Sequence, residues 1–178
     1  RVLFRSDGKV AVIIGAGCVG PGWGNGRATA FRFVEEGASV LAVDNSEEAL
    51  LETIERVAPL DGVMETYIGD ATKSQSVASM IAACMSRFGR LDILVNNVGG
   101  SKKGGPVDLS EEDWDSQIDQ NLKSVFLGCK YAIPELEKDG GGAIVNIAST
   151  SGTRWTGSAQ VAYAATKAGV IQLSKVVA

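Results

Sequence analysis

The sequence predicts an α/β protein, a doubly wound parallel sheet held between two layers of helices. Three observations carry that expectation. Short apolar runs such as Val10–Ile14 and Val40–Val43 lack the alternation of a half-exposed strand, so they read as strands buried on both faces. Five such runs alternate with segments whose apolar residues recur at helical spacing, with no internal repeat or low-complexity linker. The functional-looking polar residues sit where a run ends or on the helix beside it, which is where such sheets bind ligands.

In chain order, Val10-Ala11-Val12-Ile13-Ile14 is the first strand, and a loop dense in glycine follows from Gly15 to Gly26. A helix is expected from Arg27 to Glu36, with Ala30, Phe33 and Val34 on one side and Gly37 as its stop. Ser39–Asp44 is the second strand and ends on a carboxylate; Ser46, Glu47 and Glu48 then open a helix to about Ala58. Thr66–Asp70 reads as the third strand, with Thr72 or Ser74 capping the next helix. In that helix Val77, Met80, Ile81, Cys84, Met85 and Phe88 form an apolar stripe, better read as core than as a sulfur-based site, and Gly89 ends it. Leu91–Val95 is the fourth strand and runs into Asn96-Asn97-Val98-Gly99-Gly100. Ser110, with Asp113 three residues on, starts a long helix through Tyr131, and Pro134 lies just after it. Ala143–Ile147 is the fifth strand, leading to Ala148-Ser149-Thr150-Ser151-Gly152, and the last helix begins near Tyr163.

Composition narrows the function. The 178 residues make one domain with room for a sizeable core, at 45% hydrophobic and 21% charged. Net charge is −4 with no Lys/Arg-rich run, which disfavours nucleic acid as a partner. No apolar run approaches the roughly 20 residues of a membrane span. The chain has no histidine, which removes His-based triads and the usual zinc sets, so no metal is expected. Cys18, Cys84 and Cys129 form no C-x-x-C pair and fit a reducing cytoplasm. Residues 1–7 read as a disordered or non-native tail before a domain over 8–178.

The stretch with most chemical content is Tyr163-Ala164-Ala165-Thr166-Lys167. Four residues apart on a helix, a phenol and an ammonium share one face. Free tyrosine ionises near pH 10, and a fixed cation beside it favours the phenolate, which makes it a usable proton acceptor. The same spacing also arises by chance, as a tyrosine packed inside and a lysine in water. Its company decides between the two. A glycine loop follows strand one, Asp70 follows strand three, and Asn-Asn-x-Gly follows strand four; Asn121 lies in the next helix and Ser149 after strand five.

In that order these motifs resemble the short-chain dehydrogenase/reductase family, from about Gly8 to Ala178, and its 3-oxoacyl reductases in particular. The resemblance implies a Rossmann-type fold that binds NAD or NADP and moves hydride between the nicotinamide and an alcohol or carbonyl. It implies catalytic roles for Asn121, Ser149, Tyr163 and Lys167. Lys167 would bond the nicotinamide ribose, Asn121 would hold a water of the proton relay, and Ser149 would orient the substrate oxygen. Thr150 and Ser151 rival Ser149, because Ser149 lies one residue further from Tyr163 than is usual. The family's two further strands and substrate-covering loop have no counterpart here, so the chain reads as a fragment ending inside a helix. The resemblance also implies a homo-oligomer built on the long and last helices. A second reading is a dinucleotide-binding module without turnover.

The glycine loop departs from the family pattern, with Ile14 where threonine is usual. One register takes Gly15 as head and Gly24-Asn25-Gly26 as tail, with about five extra residues between; the other uses Gly20 and Gly22 and lengthens the helix. Either lets backbone N–H groups approach a pyrophosphate at a helix N-terminus. Asp44 stands where an acid accepts the adenosine ribose hydroxyls and would repel a 2′-phosphate; no Arg or Lys lies within the loop, and Asn45 follows. NAD is therefore favoured over NADP. Asp70 and Ala71 resemble the pair that contacts adenine, although Asp70 capping its own loop is an alternative. Asn97 and Gly99 would lie beneath the cofactor.

Overall fold

The computed structural model describes residues 6–138 and 140–178. Five parallel strands, β1 (Val10–Ile14), β2 (Ser39–Asp44), β3 (Met64–Ile68), β4 (Ile93–Asn96) and β5 (Ala143–Asn146), form one sheet in the order β3-β2-β1-β4-β5. This is the doubly wound Rossmann-type arrangement expected. Central β1 is buried along its whole length and feeds two cores. Val10, Val12 and Ile14 pack with Val77, Met80, Ile81 and Cys84 of α3 (Ser74–Phe88) and Leu127 and Leu136 of α5 (Ser124–Lys138). Ala11 and Ile13 face the other way, toward Ala30 and Val34 of α1 (Asn25–Glu35) and Leu50 and Val57 of α2 (Glu47–Val57). A strand with a period of two and apolar residues at every position must be covered on both sides, and it is.

Several boundaries differ from those read in the sequence. β3 begins at Met64 and ends at Ile68, because its register is set by pairing with Val40–Asp44. Asp70 therefore leaves the strand: its Oδ1 accepts from the Thr72 N–H (2.8 Å) and hydroxyl (2.7 Å), a local turn. Neither Thr72 nor Ser74 caps α3, whose N-cap is Lys73 without a side-chain bond. β4 starts at Ile93, just after Asp92, whose carboxylate accepts from the Val10 N–H (2.9 Å). The long helix does not stop at Tyr131. It runs as α4 (Glu111–Ile118), a π-helical segment (Asp119–Lys123) and α5 to Lys138, with Pro134 inside it. Pro134 withholds a donor from the Lys130 carbonyl, and both residues are exposed.

The Ser46 and Ser110 caps form as read, accepting from Ala49 N–H (3.2 Å) and Asp113 N–H (3.1 Å). The last helix, α6, spans Val161–Val177. Residues 1–5 of the expected tail lie outside the described residues, whereas Ser6 accepts from the Lys9 N–H (3.0 Å) in a turn. Among the described residues no helix is long and apolar enough to cross a membrane.

Candidate active site

All five strands point their carboxyl ends to one edge, and the order reverses between β1 and β4. A cleft of about 660 Å³ opens at that reversal, lined among others by Gly15, Gly17, Asp44, Asn97 and Gly99. Its floor is backbone packed too closely for side chains. A Cβ on Gly26 would lie 1.7 Å from the Gly15 carbonyl oxygen, and one on Gly17 would lie 2.8 Å from Asp44 Oδ2. Gly15 itself turns at φ +87°, and its carbonyl accepts from Asn97 Nδ2 (2.8 Å). Helix α1 begins at Asn25, two residues before the expected Arg27, its Gly24 N-cap offers no side-chain acceptor, and the first-turn amides are left for an anion.

Asp44 Oδ2 accepts from the Gly17 N–H (2.9 Å) and Oδ1 from the Ser46 N–H (3.2 Å), so this carboxylate binds the loop as well as facing the cleft. Asp70 and Ala71 stand apart from the cleft lining, and Ala71 is buried against α3. Sequence reading missed Arg27, one residue past the loop, which does line the cleft. Its guanidinium is 2% exposed and already committed to Glu52 Oε2 (2.6 Å) and Thr53 Oγ1 (3.1 Å). A cation in the first turn of a helix, where the dipole disfavours it, was the available signal.

The second group of residues converges on α6. Lys167, 2% exposed, donates to the Ile147 carbonyl (2.6 Å), and its Nζ stands 5.7 Å from the centre of the Tyr163 ring. Burial pushes the Lys167 pKa down from its ordinary value. A Cβ on Gly99 would lie 2.9 Å from Asn121 Oδ1 and 3.2 Å from Lys167 Nζ, so the end of β4, the π-helical segment and α6 meet there. Asn121 is fully buried, and its amide clasps Gly100 at both ends: Oδ1 accepts from the N–H and Nδ2 donates to the carbonyl, each at 2.9 Å. Ser149 is half-buried and its Oγ accepts from the Ser151 N–H (3.2 Å). Its rivals differ: Thr150 is exposed, and Ser151 Oγ lies 3.4 Å from Thr156 Oγ1. Gly152 lets this turn seat on α6, since a Cβ there would be 2.6 Å from the backbone of Lys167 and Ala168. Beside the site, the Gly104 N–H donates to the Ala159 carbonyl (2.9 Å), joining 101–109 to 153–160 around a mainly apolar cleft of about 410 Å³. No cluster of metal-ligating side chains occurs among the described residues.

A family model described as short chain dehydrogenase matches residues 9–178. The 3-oxoacyl-[acyl-carrier-protein] reductase of Thermotoga maritima is 37% identical over 172 residues, covering 97% of this chain and 68% of that protein. A crystal structure described as a short-chain dehydrogenase/reductase from Burkholderia xenovorans superposes with a TM-score of 0.96 at 56% identity, over 98% of this chain and 66% of that one. Carveol dehydrogenase from Mycobacterium avium, in complex with NAD, gives 0.87 at 32% identity, over 97% of this chain and 65% of that one. The chain thus spans about two thirds of the length of these relatives. With the matched residues running from 9 to 178 and the sheet order in agreement, this chain belongs to the short-chain dehydrogenase family.

Proposed function

We propose that this chain is the cofactor-binding part of an NAD-dependent oxidoreductase that interconverts an alcohol and a carbonyl compound, with Tyr163 as its acid/base. The observation that carries this reading is the pair on α6, a buried ammonium fixed by the Ile147 carbonyl with a phenol ring 5.7 Å away on the same face. With that ammonium fixed beside it, Tyr163 takes the hydroxyl proton in oxidation and returns it in reduction. Ser149 Oγ accepts one bond and keeps its own proton to offer the substrate oxygen. Asn121 holds the Gly99-Gly100 backbone against Lys167 and supports the relay.

The close backbone at Gly15 and Gly26 and the uncapped start of α1 suit a pyrophosphate, and Gly24 and Asn25 are assigned to the same cradle. Asp44, Asp70, Ala71, Asn97 and Gly99 are assigned to the rest of the dinucleotide, with Tyr163 and Lys167 at its nicotinamide end. Bound there, NAD supplies the hydride acceptor and NADH the donor. Asp44 disfavours a 2′-phosphate, and Arg27 is occupied by Glu52, so both support NAD over NADP. The NAD complex of carveol dehydrogenase supports the same choice. Similarity to a 3-oxoacyl reductase supports a carbonyl substrate. A cytoplasmic homo-oligomer packed through α4, α5 and α6 completes the reading.

The test is Tyr163→Phe in the full protein. Turnover should fall about 10²–10⁴-fold while NADH affinity, read by fluorescence titration, stays within about twofold of wild type. Turnover equal to wild type would remove Tyr163 from the chemistry.

A further inference from the structure

The structure assigns Glu52, in the second turn of α2, a positioning role: it fixes the extra residues Val19–Trp23 of the glycine loop and thereby sets the affinity for the dinucleotide. The inference rests on the cofactor cleft proposed above. The Glu52 carboxylate sits among donors from three separate places. It accepts from the Gly22 N–H of the loop (3.1 and 3.2 Å), from Arg27 Nη1 of α1 (2.6 Å) and from Arg56 Nε and Nη2 of its own helix (2.9 and 2.6 Å).

Each partner carries the hold further. Arg27 also donates to the Gly22 carbonyl and to the Ala49 carbonyl (3.2 Å), so both polar groups of the Gly22 backbone are engaged. Its neighbour Thr53 donates to the Ala16 carbonyl (3.0 Å), which ties the near end of the loop to the same helix. The Arg56 guanidinium lies 4.4 Å over the Trp23 ring, and Trp23 meets Phe31 edge-on at 5.3 Å. Gly22 turns at φ +96°, a conformation the loop can hold only with glycine. Between these anchors, Val19, Gly20 and Pro21 line the cleft. A loop lengthened by about five residues costs ordering entropy that the parent motif does not, and these contacts are what the chain sets against it.

The experiment compares wild type, Glu52→Gln, Glu52→Asp and Trp23→Ala by NADH fluorescence titration, and the first three also by chymotrypsin cleavage after Trp23 without cofactor. Glu52→Gln should weaken NADH about tenfold and speed cleavage several-fold, with Glu52→Asp intermediate. In the full protein the loss should fall on KM for NAD rather than on kcat, a split that general destabilisation does not produce. Trp23→Ala leaves the ion pairs intact and should weaken NADH about threefold, which decides the matter if Glu52→Gln does not fold. Wild type failing to bind NADH overturns the cofactor reading itself. Wild-type affinity in all three variants, with wild-type cleavage rates in the two Glu52 variants, overturns the role of Glu52 alone.

Discussion

The three thiols show how much a single residue's surroundings decide. Burial, with the Asp92 carboxylate adding to it, pushes the Cys84 thiol up to about 12, and burial raises Cys129 as well. Cys18 is half-buried and lines the cleft. Of these three, only Cys18 should be alkylated in the native protein, as read by mass spectrometry of the peptides, and NADH should slow it. Equal labelling of all three, or no effect of NADH, would contradict that placement. The loop was legible from its glycines, of which Gly26 is the most constrained: a Cβ there would fall 1.7 Å from a carbonyl oxygen. Arg27 was not legible as a buried clamp. Its partner Glu52 lies 25 residues away, and no local spacing links the two.

At the scale of elements, the strands and caps that depend on neighbours in sequence were readable, and those that depend on partners across the sheet were not. β1 and β2 have the bounds their apolar runs mark, and Ser46 and Ser110 cap as their patterns indicate. β3 slipped by two residues because its ends answer to Val40–Asp44, not to its own composition. The π-helical segment carries no compositional mark, yet it holds Asn121 at the junction with Gly99 and Lys167. The short turn from Thr150 to Gly152 depends on a similar close fit to α6. Gly152→Ala puts a methyl against the Lys167 backbone and should lift Ser149 away from the Tyr163 face. We expect turnover of the full protein to drop about tenfold or more, with stability lowered by about 1–3 kcal/mol. Unchanged turnover would mean that the turn does not place the hydroxyl.

On the whole molecule, the cleft and the Tyr163–Lys167 pair gather at the carboxyl edge of the sheet, while the opposite edge holds the ion pairs of Asp92. There Asp92 is nearly buried, which alone would raise its pKa. Bonds from Arg90 (2.6 and 2.8 Å), the Val10 N–H (2.9 Å) and Lys9 (3.2 Å) outweigh burial and hold the carboxyl at about 2. A folded value below the unfolded one contributes stability above about pH 4, which is lost as the pH falls toward 2. Asp92→Asn should therefore lower stability at neutral pH by up to about 2 kcal/mol and flatten the decline between pH 4 and 2, as measured by urea midpoints. An identical acid limb in the variant would assign that decline to other carboxylates. At the carboxyl edge, Asp44 and Glu52 each accept from one amide of the same loop, at Gly17 and at Gly22. A wall braced at two points has little left to order, so if a dinucleotide is the visitor, differences between NAD and NADP should appear in residence time more than in arrival rate, as stopped-flow would read.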